Sequence, residues 1–218
     1  MSTTDDAPVP AAPPSGIADP APLGLAAFAL TTFLLSAVNA GWMKDSTGFV
    51  WWGFAIAYGG LGQLLAGMWE FRNRNVFGAT AFSTYGGFWI GVGLWLHFVA
   101  GPVAATAGLA VDRDLGWILL AFAIFNTYML IIATQVNMAV FLVFLTLEAT
   151  EIIGFIGNFT TTKAALPPFA TYLPATIQVA GYVGVLTALV AWYTSAAGVM
   201  NGHKGRAVFP VGKPLFDL

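Results

Sequence analysis

Between Leu23 and Ala197 the chain runs in long apolar stretches separated by short polar breaks, with no wet face recurring every three or four residues. A helix that is apolar all round belongs in a membrane or in the core of a large protein. Six stretches hold this character for roughly the 20 residues that a helix needs to cross a bilayer. They are Leu23–Met43, Gly48–Trp69, Ala79–Ala100, Leu115–Thr134, Met138–Gly157 and Tyr172–Ala197. The breaks fall at Lys44–Ser46, Glu70–Asn75, Gly101–Asp114, Gln135–Asn137 and Asn158–Thr171. The fourth break carries no charge, so the fourth and fifth helices are the least sharply divided. The pattern predicts an all-α integral membrane fold with six transmembrane helices.

Composition agrees. The chain of 218 residues is 58% hydrophobic and 8% charged, with a mean hydropathy of +0.77, outside the balance of soluble domains. Its 25 glycines suit membrane helices, where small residues let backbones approach. The absence of cysteine removes disulfides, thiolate metal sites and cysteine nucleophiles. There is no phosphate-cradling glycine loop, no metal-spaced histidine pattern and no G-x-S-x-G elbow, so the sequence predicts neither an enzyme, nor a cofactor or metal, nor a nucleic-acid partner.

Residues 1–18, rich in Pro, Ala, Ser and Asp and lacking Lys or Arg, are expected to form a disordered tail, not a signal peptide. Residues 19–200 then make the transmembrane domain and residues 201–218 a C-terminal tail. Six spans place both termini on one side. Arg72, Arg74, Lys204, Arg206 and Lys213 accompany them, against Lys44, Arg113 and Lys163 opposite. The positive-inside rule therefore assigns both tails to the cytoplasm, and the expected location is the plasma membrane.

Candidate chemistry is sparse. In "DPAPLGL" (Asp19–Leu25) two prolines occupy the first turn of the first helix, where their fixed φ fits and the missing amide hydrogen has no helical partner, with Asp19 as a candidate N-cap. The remaining free N–H groups could receive an anion, or the prolines could simply mark bilayer entry. Thr31, Thr32, Asn39, Gln63, Asn126 and Gln178 are uncharged polar groups within spans, able to bond a carboxylate or, more commonly, a neighbouring helix. His97 is either a proton carrier or an ordinary hydrogen-bonded side chain. Gly87/Gly91 and Ala37/Gly41 have the spacing of close helix contacts, and Trp51, Trp52 and Trp69 suit the lipid interface and protomer packing. The main anomaly is Glu148 with Glu151. An ionised carboxylate at mid-membrane costs roughly 2.5–3.5 kcal/mol on insertion scales, so these acids face water, face protein partners or carry a proton. They are candidate proton-sensitive groups, or hydrogen-bonded structural acids.

"DPAPLGL" resembles the Asn-Pro-Ala-Pro-Leu-Gly-Leu signature of the acetate uptake transporter family, the succinate-acetate permease type. "YGGLGQLLAGMWE" (Tyr58–Glu70), "NVFGATAFSTYGGFW" (Asn75–Trp89) and "GRAVFPVG" (Gly205–Gly212) resemble further blocks of that family in register. One departure is Asp19, where the family usually has Asn; a carboxylate repels an incoming anion, which argues against a substrate-attracting role for that side chain. The resemblance implies a homohexamer of six-helix protomers, each with its own path for small monocarboxylates such as acetate, with succinate as an extension. It also implies a constriction at the positions of Phe28, Tyr85 and Leu147. At about 1.5 Å per residue these lie about 7, 9 and 13 Å above Leu23, Ala79 and Met138, so one level can hold all three. Leu23, Gly24, Thr31, Asn39 and Gln63 are the candidate substrate-binding positions. Glu151 lies about 40° round its helix from Leu147, and Glu148 about 100°. Other readings are a channel for small neutral solutes such as urea, short amides or ammonia, and a non-conducting membrane sensor or scaffold.

Overall fold

The computed structural model describes residues 16–164 and 173–216; residues 1–15 of the expected tail and part of the last inter-helix connection lie outside them. The described chain is helical throughout: α1 (Ala21–Asn39), α2 (Trp52–Ile56), α3 (Gln63–Arg72), α4 (Val76–Trp95), α5 (Gly101–Ala107), α6 (Leu109–Ala133), α7 (Met138–Thr160) and α8 (Ala175–Lys204). A π-helical segment, Ala57–Gly62, joins α2 to α3, and a second, Leu96–Ala100, joins α4 to α5. Among the described residues five helices are long and apolar enough to cross a membrane: Ala21–Asn39, Val76–Ala107, Leu109–Ala133, Met138–Thr160 and Ala175–Lys204. The stretch expected as the second span is assembled instead from segments of 5, 6 and 10 residues.

Several boundaries move for identifiable reasons. Asp19 is not the N-cap of α1: Pro20 occupies that position, and Asp19 Oδ1 accepts from the Ala21 amide at 2.9 Å. The second stretch begins at Trp52, because Gly48 has φ +75° and turns the chain. The third begins at Val76, capped by Asn75 Oδ1 accepting from the Gly78 amide at 3.0 Å. It also continues to Ala107 through what was read as a polar break. There Pro102 sits in the first turn of α5, and Gly108 at φ +53° supplies the corner into α6. The uncharged break before α7 is real, since Asn137 Oδ1 accepts from the Val140 amide at 2.9 Å and caps that helix.

α1 packs mainly on α8, α7 on both α6 and α8, and α3 on α4. These approaches depend on glycine, though not on the pairs expected. Gly87 and Gly91 face out of the protomer with nothing near them, whereas a Cβ on the adjacent Gly86 would meet the Leu64 backbone at 2.6 Å. Gly41 lies beyond the end of α1 at φ +78° and forms no helical pair with Ala37. A Cβ on Gly181 of α8 would strike the backbone of Asn39 and Ala40.

The start of α1 meets the end of α8, where Ser195 Oγ donates to Pro22 O at 2.6 Å. The C-terminal tail folds back over this same end. The Ala139 amide donates to Val211 O at 2.9 Å, the Leu215 amide to Thr134 O at 2.7 Å and Tyr193 Oη to Pro210 O at 2.6 Å.

Candidate functional site

Phe28 on α1, Tyr85 on α4 and Leu147 on α7 belong to one buried cluster, exposed by only 4%, 3% and 6%. The Phe28 and Tyr85 rings meet edge to face at 5.9 Å between centroids. Phe88 and Phe122 pack edge to face at 4.6 Å beside Tyr85, which makes the wall stiff as well as apolar.

A cavity of ≈ 100 Å³ lies against these three residues, on the side away from the chain termini. Three helix stripes line it. α1 contributes Thr32, Ser36 and Asn39 above Phe28, and α7 contributes Thr150, Glu151, Gly154 and Asn158 above Leu147. From α4 come Trp89, Val92 and Trp95 above Tyr85, and Trp51 completes the wall from the turn before α2. Each stripe follows the i, i+3/i+4 rows of one helix face. Trp51 Nε1, Trp89 Nε1 and Thr32 Oγ1 are buried yet make no hydrogen bond among the described residues. Buried donors are nearly always paired in proteins, so three unpartnered ones in the wall of one cavity are unusual.

The positions singled out from sequence divide in two. Phe28, Tyr85, Leu147, Asn39 and Glu151 all line the cavity. Leu23 is half-exposed at the start of α1, and Gly24 packs against the Phe82 ring. Thr31 is turned away, sharing its one hydroxyl hydrogen between Ala27 O at 3.2 Å and Phe54 O at 3.4 Å, beside the first π segment. Gln63 is buried at the start of α3, with Oε1 unpartnered among the described residues. Gln178 donates to Leu173 O at 2.9 Å. His97 is exposed and stacks on Trp52 with centroids 5.0 Å apart. Trp51, expected at the lipid interface, is an interior residue, 3% exposed.

The two acids occupy different environments. Glu151 is 4% exposed, and its Oε1 lies 3.2 Å from Tyr85 Oη; its Oε2 has no partner among the described residues. Glu148 is half-buried on the flank of α7 that meets α6, accepting from Asn126 Nδ2 and from Thr127 Oγ1, both at 2.7 Å. Asn126, wholly buried, completes the link: Nδ2 also donates to Phe144 O at 3.0 Å, and Oδ1 accepts from Tyr85 Oη at 2.9 Å. Ser36, Thr150, Asn158 and Trp89 escaped sequence reasoning. Extending the Phe28 row by helical steps to residues 32, 36 and 39, and the Leu147 row to 151, 154 and 158, would have found Ser36 and Asn158.

The family model described as the GPR1/FUN34/yaaH family matches residues 4–213. The chain is 39% identical over 201 residues to acetate permease A of Emericella nidulans, covering 89% of this chain and 65% of that protein. It therefore spans just under two thirds of that fungal relative's length. To the succinate-acetate/proton symporter SatP of Escherichia coli it is 31% identical over 199 residues, covering 90% and 96%. A solved structure of the bacterial acetate channel SatP superposes with a TM-score of 0.76 at 30% identity, covering 90% of this chain and 99% of that one.

Proposed function

The chain belongs to the GPR1/FUN34/yaaH family, and on that basis we propose that it carries acetate and related small monocarboxylates across the membrane, with succinate as an extension. The observation that carries this reading is the cavity itself. It sits over an aromatic and leucine floor and has buried donors without partners in its wall. A small anion with one methyl group is matched by such a space: the methyl meets Phe28 and Leu147, and small rotations of Trp51, Trp89 and Thr32 bring their unpartnered donors to the carboxylate. The site stays weak enough to release what it binds, as conduction requires. Leu23 and Gly24, at the opposite end of α1, mark the second mouth, and Thr31 and Gln63 hold the α1–α2–α3 packing beside the path.

The protomer crosses the membrane six times, the α2–π–α3 assembly supplying the sixth span, with both termini cytoplasmic and the protein in the plasma membrane. Residues 19–200 form the transmembrane domain, and residues 201–218 the cytoplasmic tail. It assembles as a homohexamer with one path per protomer, the outward-facing Gly87 and Gly91 giving a surface for close packing. Native mass spectrometry in mild detergent tests the assembly: hexamers are expected, and monomers or dimers alone would rule it out.

Glu151 senses protons in this reading. Neutral, it leaves the cavity free of negative charge; ionised, it repels the substrate, so flux rises as pH falls. Uptake of radiolabelled acetate into proteoliposomes is the test of function, with urea and methylammonium as competing cargoes and protein-free liposomes as background. Saturable acetate uptake above background supports the proposal. Transport of the neutral solutes alone, or of nothing, rejects it.

A further inference from the structure

Tyr85 has one hydroxyl hydrogen and two acceptors within reach, Asn126 Oδ1 at 2.9 Å and Glu151 Oε1 at 3.2 Å. The amide of Asn126 cannot be turned over. Its nitrogen faces the Phe144 carbonyl at 3.0 Å, which only accepts, and Glu148 Oε2 at 2.7 Å. Both amide hydrogens are therefore committed, and Oδ1 presents lone pairs alone to Tyr85. Asn126 is 0% exposed, so no solvent can replace the phenol as the donor to that oxygen. The hydrogen of Tyr85 belongs to Asn126. Glu151 Oε1 can then bond the phenolic oxygen only by donating a proton of its own.

We propose that Asn126, oriented by Glu148, is a positioning residue that withholds the Tyr85 hydroxyl hydrogen from Glu151 and thereby keeps Glu151 in its protonated, uncharged form beside the substrate path. Asn126 does not line the cavity; it acts through Tyr85, which does. Loss of the Glu151 proton forces Tyr85 to swing its hydrogen to the carboxylate and leaves Asn126 Oδ1 buried without a donor. The two bonds compete for a single hydrogen. The titratable groups around Glu151 are consistent with this arrangement. Tyr85 on α4 and Glu148 on its own helix are the near ones, with Tyr128 of α6 beyond Tyr85. Of the charged groups at the start of α6, Arg113 is turned to the Asn158 and Thr161 carbonyls. On α8, Tyr182 meets Trp42 edge to face, Tyr193 bonds Pro210 O, and His203 and Lys204 lie in the last turn, while α1 carries no titratable side chain. No basic side chain is hydrogen-bonded to either acid among the described residues.

The inference rests on the transport reading, and its test separates the two. The variant is Asn126→Leu combined with Glu148→Gln, so that no acid loses its partner; Glu148→Gln alone, which keeps Asn126 oriented, is the control. In proteoliposomes the acid-driven rise in acetate uptake should lie about one pH unit further toward acid in the double variant than in the Glu148→Gln control, the tenfold effect of redirecting about one hydrogen bond; both lack the Glu148 carboxylate, so the difference belongs to Asn126. Infrared spectra at matched pH supply a readout that needs no transport. The carboxylic-acid carbonyl band that Glu151→Gln removes from the wild type should weaken in the double variant. A pH profile and a band matching those of the Glu148→Gln control in a folded double variant would overturn the role of Asn126. Should the wild type carry no acetate, the transport reading falls and the infrared band alone decides this one.

Discussion

The two ends of this helical bundle differ in where their unpaired polar groups sit: at one end they are scattered, at the other they belong to residues lining one cavity. At the end bearing the termini the tail contacts are paired, although Glu70 Oε1 and Ser83 Oγ are buried there without partners among the described residues. Asn201 donates to Phe209 O at 2.9 Å and accepts from the Val208 and Phe209 amides, Tyr193 reaches Pro210 O, and Ser195 ties α8 to Pro22. In the half beyond Phe28, Tyr85 and Leu147, a cavity remains, and Trp51, Trp89 and Thr32 keep unpartnered donors in its wall. Leaving a buried donor unmade costs roughly 1–3 kcal/mol, so the open half gives up stability that the strapped half retains. The contrast points to the site more firmly than any one residue does: a ligand is expected where unmade hydrogen bonds and a cavity coincide.

The contrast is most strongly broken at its floor. Phe28→Ala removes the ring that meets Tyr85 edge to face and should let larger acids such as butyrate or benzoate pass at least about tenfold faster, corresponding to about 1.4 kcal/mol off their barrier. Competition of such acids against labelled acetate reads this directly, and unchanged selectivity would remove Phe28 from the path. Gly181→Leu comes next. Its side chain would strike the Asn39 and Ala40 backbone, so overpacking should lower stability by about 1–3 kcal/mol, seen as a lower melting temperature in detergent. Gly202→Ala, at an exposed position of α8 where a Cβ meets nothing, should not lower that temperature.

Two smaller effects sharpen the difference between the halves. Trp89→Phe keeps the aromatic body but deletes an unpartnered donor, and should raise the KM for acetate about fivefold, the equivalent of one hydrogen bond of about 1 kcal/mol, with little change in stability. Tyr193→Phe deletes the 2.6 Å bond to Pro210 O in the strapped half; it should cost about 1 kcal/mol and loosen the tail to proteolysis while acetate KM stays the same. Reversal of these two patterns would show that the halves had been assigned the wrong way round.

The five helices long and apolar enough to span were legible because hydrophobic runs of bilayer length report burial in lipid directly. The stretch expected as a second span was harder. "AYGGLG" (Ala57–Gly62) is apolar enough to read as part of one helix, and nothing in a hydropathy profile signals its change to π geometry. The "GPVAATAG" segment misled in the other direction, since Pro102 fits the first turn of a helix as readily as it ends one. In the site, Phe28, Tyr85 and Leu147 were placed by resemblance and Glu151 by its angle from Leu147, a relation fixed along one helix. Asn126 was visible only as one polar residue among several. Its pairing with Tyr85 spans 41 positions and depends on how α4 meets α6, which no local pattern encodes. Trp51 was misread for the same reason, because an aromatic near a span boundary serves the lipid interface and an interior wall with the same side chain.

Whether the space above the floor is a conducting path is settled most directly by Leu147→Trp. Leu147 is 6% exposed in the floor, and an indole there fills the gap between Phe28 and Tyr85 without touching the donors above. Initial rates of labelled acetate uptake should be measured in proteoliposomes holding wild-type protein, Leu147→Trp, or none, at equal protein content and with matched elution profiles. The expected result is saturable uptake by the wild type and a loss of at least about tenfold in the variant, toward the protein-free background. Equal uptake by wild type and variant would show that the substrate crosses somewhere other than between Phe28, Tyr85 and Leu147.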